Sequence, residues 1–115
     1  MTAGGQDEPR EILLALVNSV AGQDDEFNEW YSNTHIPEVL TVPGFVSAQR
    51  YAISADGESA AGFRYATVYE VEGSALEARA ALFGAGLSAV SPSIDLANMV
   101  FAAFSPVGEP IRSAT

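Results

Sequence analysis

The chain contains no cysteine in its 115 residues. Disulfides, thiolate metal sites and a cysteine nucleophile are therefore excluded. Basic residues are also scarce, five against 15 acids, which gives a formal net charge of -10. Such a field repels a phosphate backbone and an anionic bilayer surface, so neither nucleic acid nor membrane is expected as a partner. It favours solubility, and it does not by itself call for a cationic ligand. No apolar run is long enough to span a membrane. The first ten residues are polar and acidic and lack an apolar h-region, so they do not read as a signal peptide, and a cytoplasmic location is expected. With one histidine, neither an HExxH motif nor a histidine-rich metal cluster can be built. Gly84-Ala85-Gly86 lacks the spacing and the preceding strand of a nucleotide loop. No GxSxG elbow is present. Asp24, Asp25, Glu26 and Glu29 read as a solvated helix start rather than a calcium loop. No metal and no cofactor are expected.

What remains is a chain that is 48% hydrophobic, enough for one domain with a real core. Residues 1–10 read as a tail that ends at Pro9, and residues 105–115, with Pro106, Gly108 and Pro110, as a C-terminal tail. Residues 11–19 are apolar on both alternating faces, which predicts a strand covered on both sides. A turn at 21–23 leads to a helix. Asp24 or Asp25 is its expected N-cap, and Phe27, Trp30, Tyr31 and Thr34 follow at helical spacing. Pro37 interrupts that helix and opens a further turn through Leu40, before Pro43-Gly44 stops it.

Residues 44–54 and 63–71 predict two strands of an antiparallel hairpin, joined by the turn-rich stretch 56–59. Phe63, Tyr65, Thr67, Tyr69 and Val71 share one face. Ser74 with Glu77 fits a capping box. The second helix is expected over 75–90, with Leu76, Ala80, Phe83 and Leu87 as its apolar stripe and Gly84 and Gly86 weakening its end. Residues 95–104 form the last strand. The order βαββαβ is ferredoxin-like, an α+β fold with a four-stranded antiparallel sheet and two helices on one face. Two helices cover only one face. The other would carry Leu13, Val17, Val46, Val68, Val100 and Phe104 if these share it, and stacking it on a second copy predicts a homodimer.

The stretch Asp25-Glu26-Phe27-Asn28-Glu29-Trp30-Tyr31-Ser32-Asn33-Thr34-His35-Ile36-Pro37, with Val42-Pro43-Gly44-Phe45 and Arg50-Tyr51 after it, resembles the EthD-like branch of the dimeric α/β barrel superfamily. Its members carry an aromatic pair late in the first helix, then His-x-Pro, then a Pro-Gly-Phe turn. The segment from Tyr65 to Glu70 is similar to their third strand. The resemblance spans residues 11–104 and implies a dimeric barrel. The superfamily includes cyclases and isomerases of polyketides and lactones, cofactor-free monooxygenases, haem-degrading enzymes and members with no assigned reaction, so the fold does not choose a chemistry. The histidine of the haem-degrading members lies on a different helix, and haem is not carried over to His35.

His35 is the candidate general acid or base, with a pKa near neutrality. Its other reading is a cap on the adjoining helical turn. Trp30 and Tyr31 either pack in the core or line an apolar pocket beside it. Tyr65 and Tyr51 are candidate catalytic phenols that donate to a developing enolate, and Tyr69 is a candidate substrate contact. Packing with the hydroxyl satisfied explains any one of them without function. Asn18 either orients a substrate carbonyl or bonds to a turn. Arg50 and Arg64 are expected to pair across strands with Glu70, an anion-binding role being the sharper alternative. The expectation is a cofactor-independent enzyme acting on a small aromatic or polyketide-like molecule by cyclisation, isomerisation or elimination. The alternative is a non-catalytic protein that binds a lipophilic ligand.

Overall fold

The computed structural model describes residues 9–53, 62–87 and 90–114. The expected turn at 56–59 and most of the N-terminal tail lie outside them. Strand β1 (Glu11–Val17) alternates with a period of two, so Leu13, Ala15 and Val17 fall on one face and are fully buried. The chain then enters α1 (Asp24–Trp30), a π-helical turn (Tyr31–His35) and α2 (Ile36–Val39) without a break. Pro37 falls in the first turn of α2, directly after the π-helical turn; because the helix is continuous there, its missing N–H takes one donor out of the ladder. Strands β2 (Phe45–Ala52) and β3 (Tyr65–Val71) follow, then α3 (Ala75–Phe83) and β4 (Val100–Phe104).

The sheet order is β2-β3-β1-β4, with every neighbouring pair antiparallel. This is the ferredoxin-like arrangement, and both helical segments pack on one face. Register fixes which residues meet them. Leu13 pairs with Tyr69 and Ala103, Ala15 with Thr67 and Phe101, and Val17 with Tyr65. These residues form the inward face, so Leu13 and Val17 belong to the helix side and not, as the apolar pattern allowed, to the opposite one. The outer face carries Ile12, Leu14 and Leu16 with their partners Val68, Ala66, Val100, Ala102 and Phe104. Because β1 is apolar on both faces, its sequence alone does not say which face meets the helices.

Two helix boundaries also differ from expectation. Asp24 does not cap α1; the N-cap position falls on Gln23 and no side chain bonds there, because the Asp24 carboxylate is occupied elsewhere. Helix α3 stops at Phe83, and Gly86 follows with a φ of +62°. That left-handed turn suits glycine and ends the helix before residue 90. Its buried face is Ala75, Ala78 and Leu82, while Leu76 and Phe83 are exposed. The small residues win this face because α3 lies close to the turn at Gly44. A Cβ on Gly44 would sit 3.5 Å from the Ala78 Cβ. Ser74 caps α3 as expected, its hydroxyl accepting from the Glu77 N–H at 3.2 Å. Among the described residues no helix is long and apolar enough to cross a membrane.

Candidate functional site

On the helix side of the sheet a cavity of about 520 Å³ opens between the π-helical turn, α3 and the irregular chain leading to β4. That size falls in the range of small-molecule sites. Its lining includes Trp30, Tyr31 and His35 from one side, Leu82 and Phe83 from another, and Ile94, Leu96, Met99 and Phe101 from the third. Among the described residues no acidic side chain and no arginine lines it. Phe83 and Leu96 remain 68% and 63% exposed, so apolar surface continues out to the rim.

The π-helical turn brings the three sequence-predicted residues together. Within it the Ile36 N–H donates to the Tyr31 carbonyl, five residues back. Single π turns inside α-helices recur at functional sites. The His35 ring stacks on Trp30, with centroids 5.0 Å apart and planes 27° apart. It also leans on Tyr31 at 4.9 Å. Burial among these rings lowers the His35 pKa from its usual value near 6.5, with Glu38 opposing. His35 therefore stands neutral at pH 7, able to accept a proton.

The other candidates stand elsewhere. Tyr65 lies at the far end of the inward face. Its hydroxyl donates to Asp24 Oδ2 at 2.6 Å and accepts from the Asn28 amide at 3.3 Å. Arg64 also pairs with Asp24. The Tyr65 hydrogen bond, with Ser19 and Arg64 behind it and burial opposing, holds the Asp24 carboxyl below its usual value. Asn18 ties two loops, donating to the Gly62 carbonyl at 3.3 Å and accepting from the Arg64 N–H at 2.9 Å. Tyr51 pairs with Ala66 on the outer sheet face and is half exposed. Tyr69 is fully buried between Phe45 and Phe101, and among the described residues its hydroxyl has no partner at hydrogen-bond geometry, Tyr31 lying alongside. Burial, with Tyr31 alongside, pushes that phenol far up, so it stays protonated.

Arg50 and Glu70 do not share a face. Arg50 pairs with Thr67 on the inward side, whereas Glu70 accepts from Ser47 on the outer side at 2.8 Å. The pocket residues that the sequence reading missed include Leu82, Ile94, Leu96, Met99 and Phe101. They come from three elements, and no local spacing links them.

The comparisons with known proteins add a family and nothing more specific. No curated protein and no solved structure matches the chain. One family model does match, over residues 16–78. The matched stretch runs from the end of β1 through β3 into α3 and includes the whole His35 wall of the cavity. It covers more than half of the chain, which therefore belongs to the family described as a domain of unknown function, DUF4286.

Proposed function

We propose that the chain is a cofactor-independent acid–base enzyme that acts on a small, uncharged aromatic or polyketide-like molecule in the His35 cavity. One observation carries this reading. The His35 imidazole, stacked on Trp30 and tilted against Tyr31, stands in the wall of an otherwise apolar cavity. In the proposed step the His35 nitrogen removes a proton from an acidic C–H of the substrate. The C–H electron pair becomes an enolate, and the imidazolium returns the proton at another carbon or at oxygen. Apolar walls exclude water and strengthen each polar contact. Tyr31 is the phenol best situated to support a developing oxyanion, because it lines the same cavity whereas Tyr65 and Tyr51 do not.

The resemblance of the stretch around His35 to EthD-like proteins supports both the chemistry and a homodimer. The outer sheet face supports the dimer independently. Ile12, Leu14, Leu16, Val68, Val100 and Phe104 lie together on it, and an apolar sheet face is normally covered. Analytical ultracentrifugation at micromolar concentration is expected to give twice the chain mass. A monomer there would remove the dimer from this reading.

The probe for the chemistry is 2-tetralone, a neutral bicyclic ketone with acidic C–H bonds. In deuterated buffer the protein is expected to speed loss of its α-proton signals in NMR, and His35→Ala to lose about 100-fold of that acceleration. No acceleration by the native protein, or an unchanged rate in His35→Ala, would sink the proposal. A second reading, simple binding of a lipophilic ligand, is favoured by the scarcity of titratable groups in the cavity wall. It predicts saturable binding of 2-tetralone with no exchange.

A further inference from the structure

Arg50 sits mid-strand in β2 with its side chain on the inward face, where an apolar residue is the ordinary choice. Among the described residues it has no carboxylate partner, although the chain holds 15 acids. The ion pairs found are Arg10 with Glu72 and Arg64 with Asp24. Keeping a half-buried charge without a counter-charge costs free energy. Nothing in the stability of the strand itself requires it.

The contacts of Arg50 indicate a different use. Its two terminal nitrogens reach the first helical segment at two points: Nη2 donates to Asn28 Oδ1 at 2.8 Å and Nη1 to Ser32 Oγ at 2.9 Å. Asn28 lies just before the π-helical turn and Ser32 lies within it. Between them stands Tyr31, whose ring centroid is 4.8 Å from the guanidinium carbon. Phe27 and Tyr65 complete the aromatic surround, each at 5.5 Å. Asn and Ser are weak helix formers because their side chains compete for the backbone. Here both are engaged by one planar fork.

We propose that Arg50 is a positioning residue for the cavity. Its fork fixes the switch from α- to π-helical winding, and so sets where Tyr31 and His35 stand in the cavity wall. A change of winding at this point re-aims every side chain that follows it on the helix, and His35 is four residues on from Tyr31. The planar guanidinium can span two acceptors while lying over a ring; an ammonium cannot do both. The chain has no lysine at all, so each of its five basic residues is an arginine. The use of the cavity rests on the function proposed above, whereas its geometry does not.

The experiment exploits two single residues. His35 is the only histidine and Trp30 the only tryptophan, so one imidazole resonance and one emission spectrum report the site. Arg50→Lys keeps the charge and loses the fork. Asn28→Ala with Ser32→Ala removes the acceptors and leaves Arg50 in place. Both variants are expected to keep cooperative unfolding and native circular dichroism. Both should shift the His35 Cε1–H resonance and the Trp30 emission, and weaken 2-tetralone binding by about tenfold or more, as misplacement of a contact does. If the imidazole resonance, the emission and the affinity all stay at native values in either folded variant, Arg50 is only a strut and the proposal falls. Should the native protein not bind 2-tetralone, the proposed function fails instead, and the His35 and Trp30 signals still decide the role of Arg50.

Discussion

The inward face of the sheet has two ends that use aromatic rings in opposite ways. At one end Trp30, Tyr31 and His35 pack ring on ring and open onto an apolar cavity. At the other, Tyr65 is held in a chain of polar contacts that runs from Arg50 through Asn28 to Asp24 and Arg64. Tyr31 belongs to both, since it touches His35 and lies under Arg50. A hydroxyl that already donates and accepts has little left to offer a ligand. A ring that borders open space has contacts still to make. The difference separates a closed structural joint from a site with unused capacity, although both ends are rich in tyrosine.

The strongest way to break this comparison is a pair of substitutions, one for each end. Tyr31→Ala removes a ring that is 1% exposed, and a buried aromatic truncation costs about 3–5 kcal/mol. It should lower the urea midpoint sharply and abolish 2-tetralone exchange in whatever fraction stays folded. Tyr65→Phe removes one hydroxyl and its two hydrogen bonds. The expected loss is about 1–2 kcal/mol in urea unfolding, with native exchange activity. If Tyr65→Phe instead slows exchange as much as His35→Ala, the polar end belongs to the active site and the division proposed here is wrong.

The fold was legible in the sequence because its signals are local. The apolar run in residues 12–17, the alternation in residues 65–71, the Pro43-Gly44 stop and the Ser74–Glu77 cap each follow from neighbouring residues, and the ferredoxin-like order follows from them. The site was legible in part. Trp30, Tyr31 and His35 lie within six residues of one another, so helical spacing brings them to one wall. The other walls come from α3 and the chain before β4, and no periodicity connects Leu82 with Met99 or Phe101. The face of β1 that meets the helices stays open in the sequence for the same reason. Six apolar residues in a row, Ile12 to Val17, give a strand without giving it an orientation, and only the pairing with Tyr69 and Phe101 decides it. Pro37 marks an irregularity in this helix without saying that it takes the form of a π-helical turn, and the Arg50 contact to that turn comes from β2.

The smallest effects expected are in the response to acid, and they separate the two ends by pH. His35 has its folded pKa lowered by burial, so below about 6.5 the unfolded chain takes up a proton that the folded chain refuses. Stability therefore falls as pH drops below that value, and levels off once the folded pKa is passed. Asp24 behaves in the same sense at a lower pH, although there it is the charged form that the fold favours. Its folded pKa is lowered, chiefly by the Tyr65 hydroxyl, so it contributes stability above the usual carboxylate value near 3.8 and loses it as pH falls through the lower folded value. Urea midpoints measured from pH 8 to pH 2.5 should thus show a shallow step near pH 6 and a further loss in strong acid. His35→Gln should flatten only the first, and Asp24→Asn should reduce only the second. His35 is the one histidine of the chain, so no other side chain with an ordinary pKa titrates near pH 6. A step that survives in His35→Gln would mean that the imidazole is not buried among Trp30 and Tyr31 in solution, and the contrast between the two ends would lose its open half.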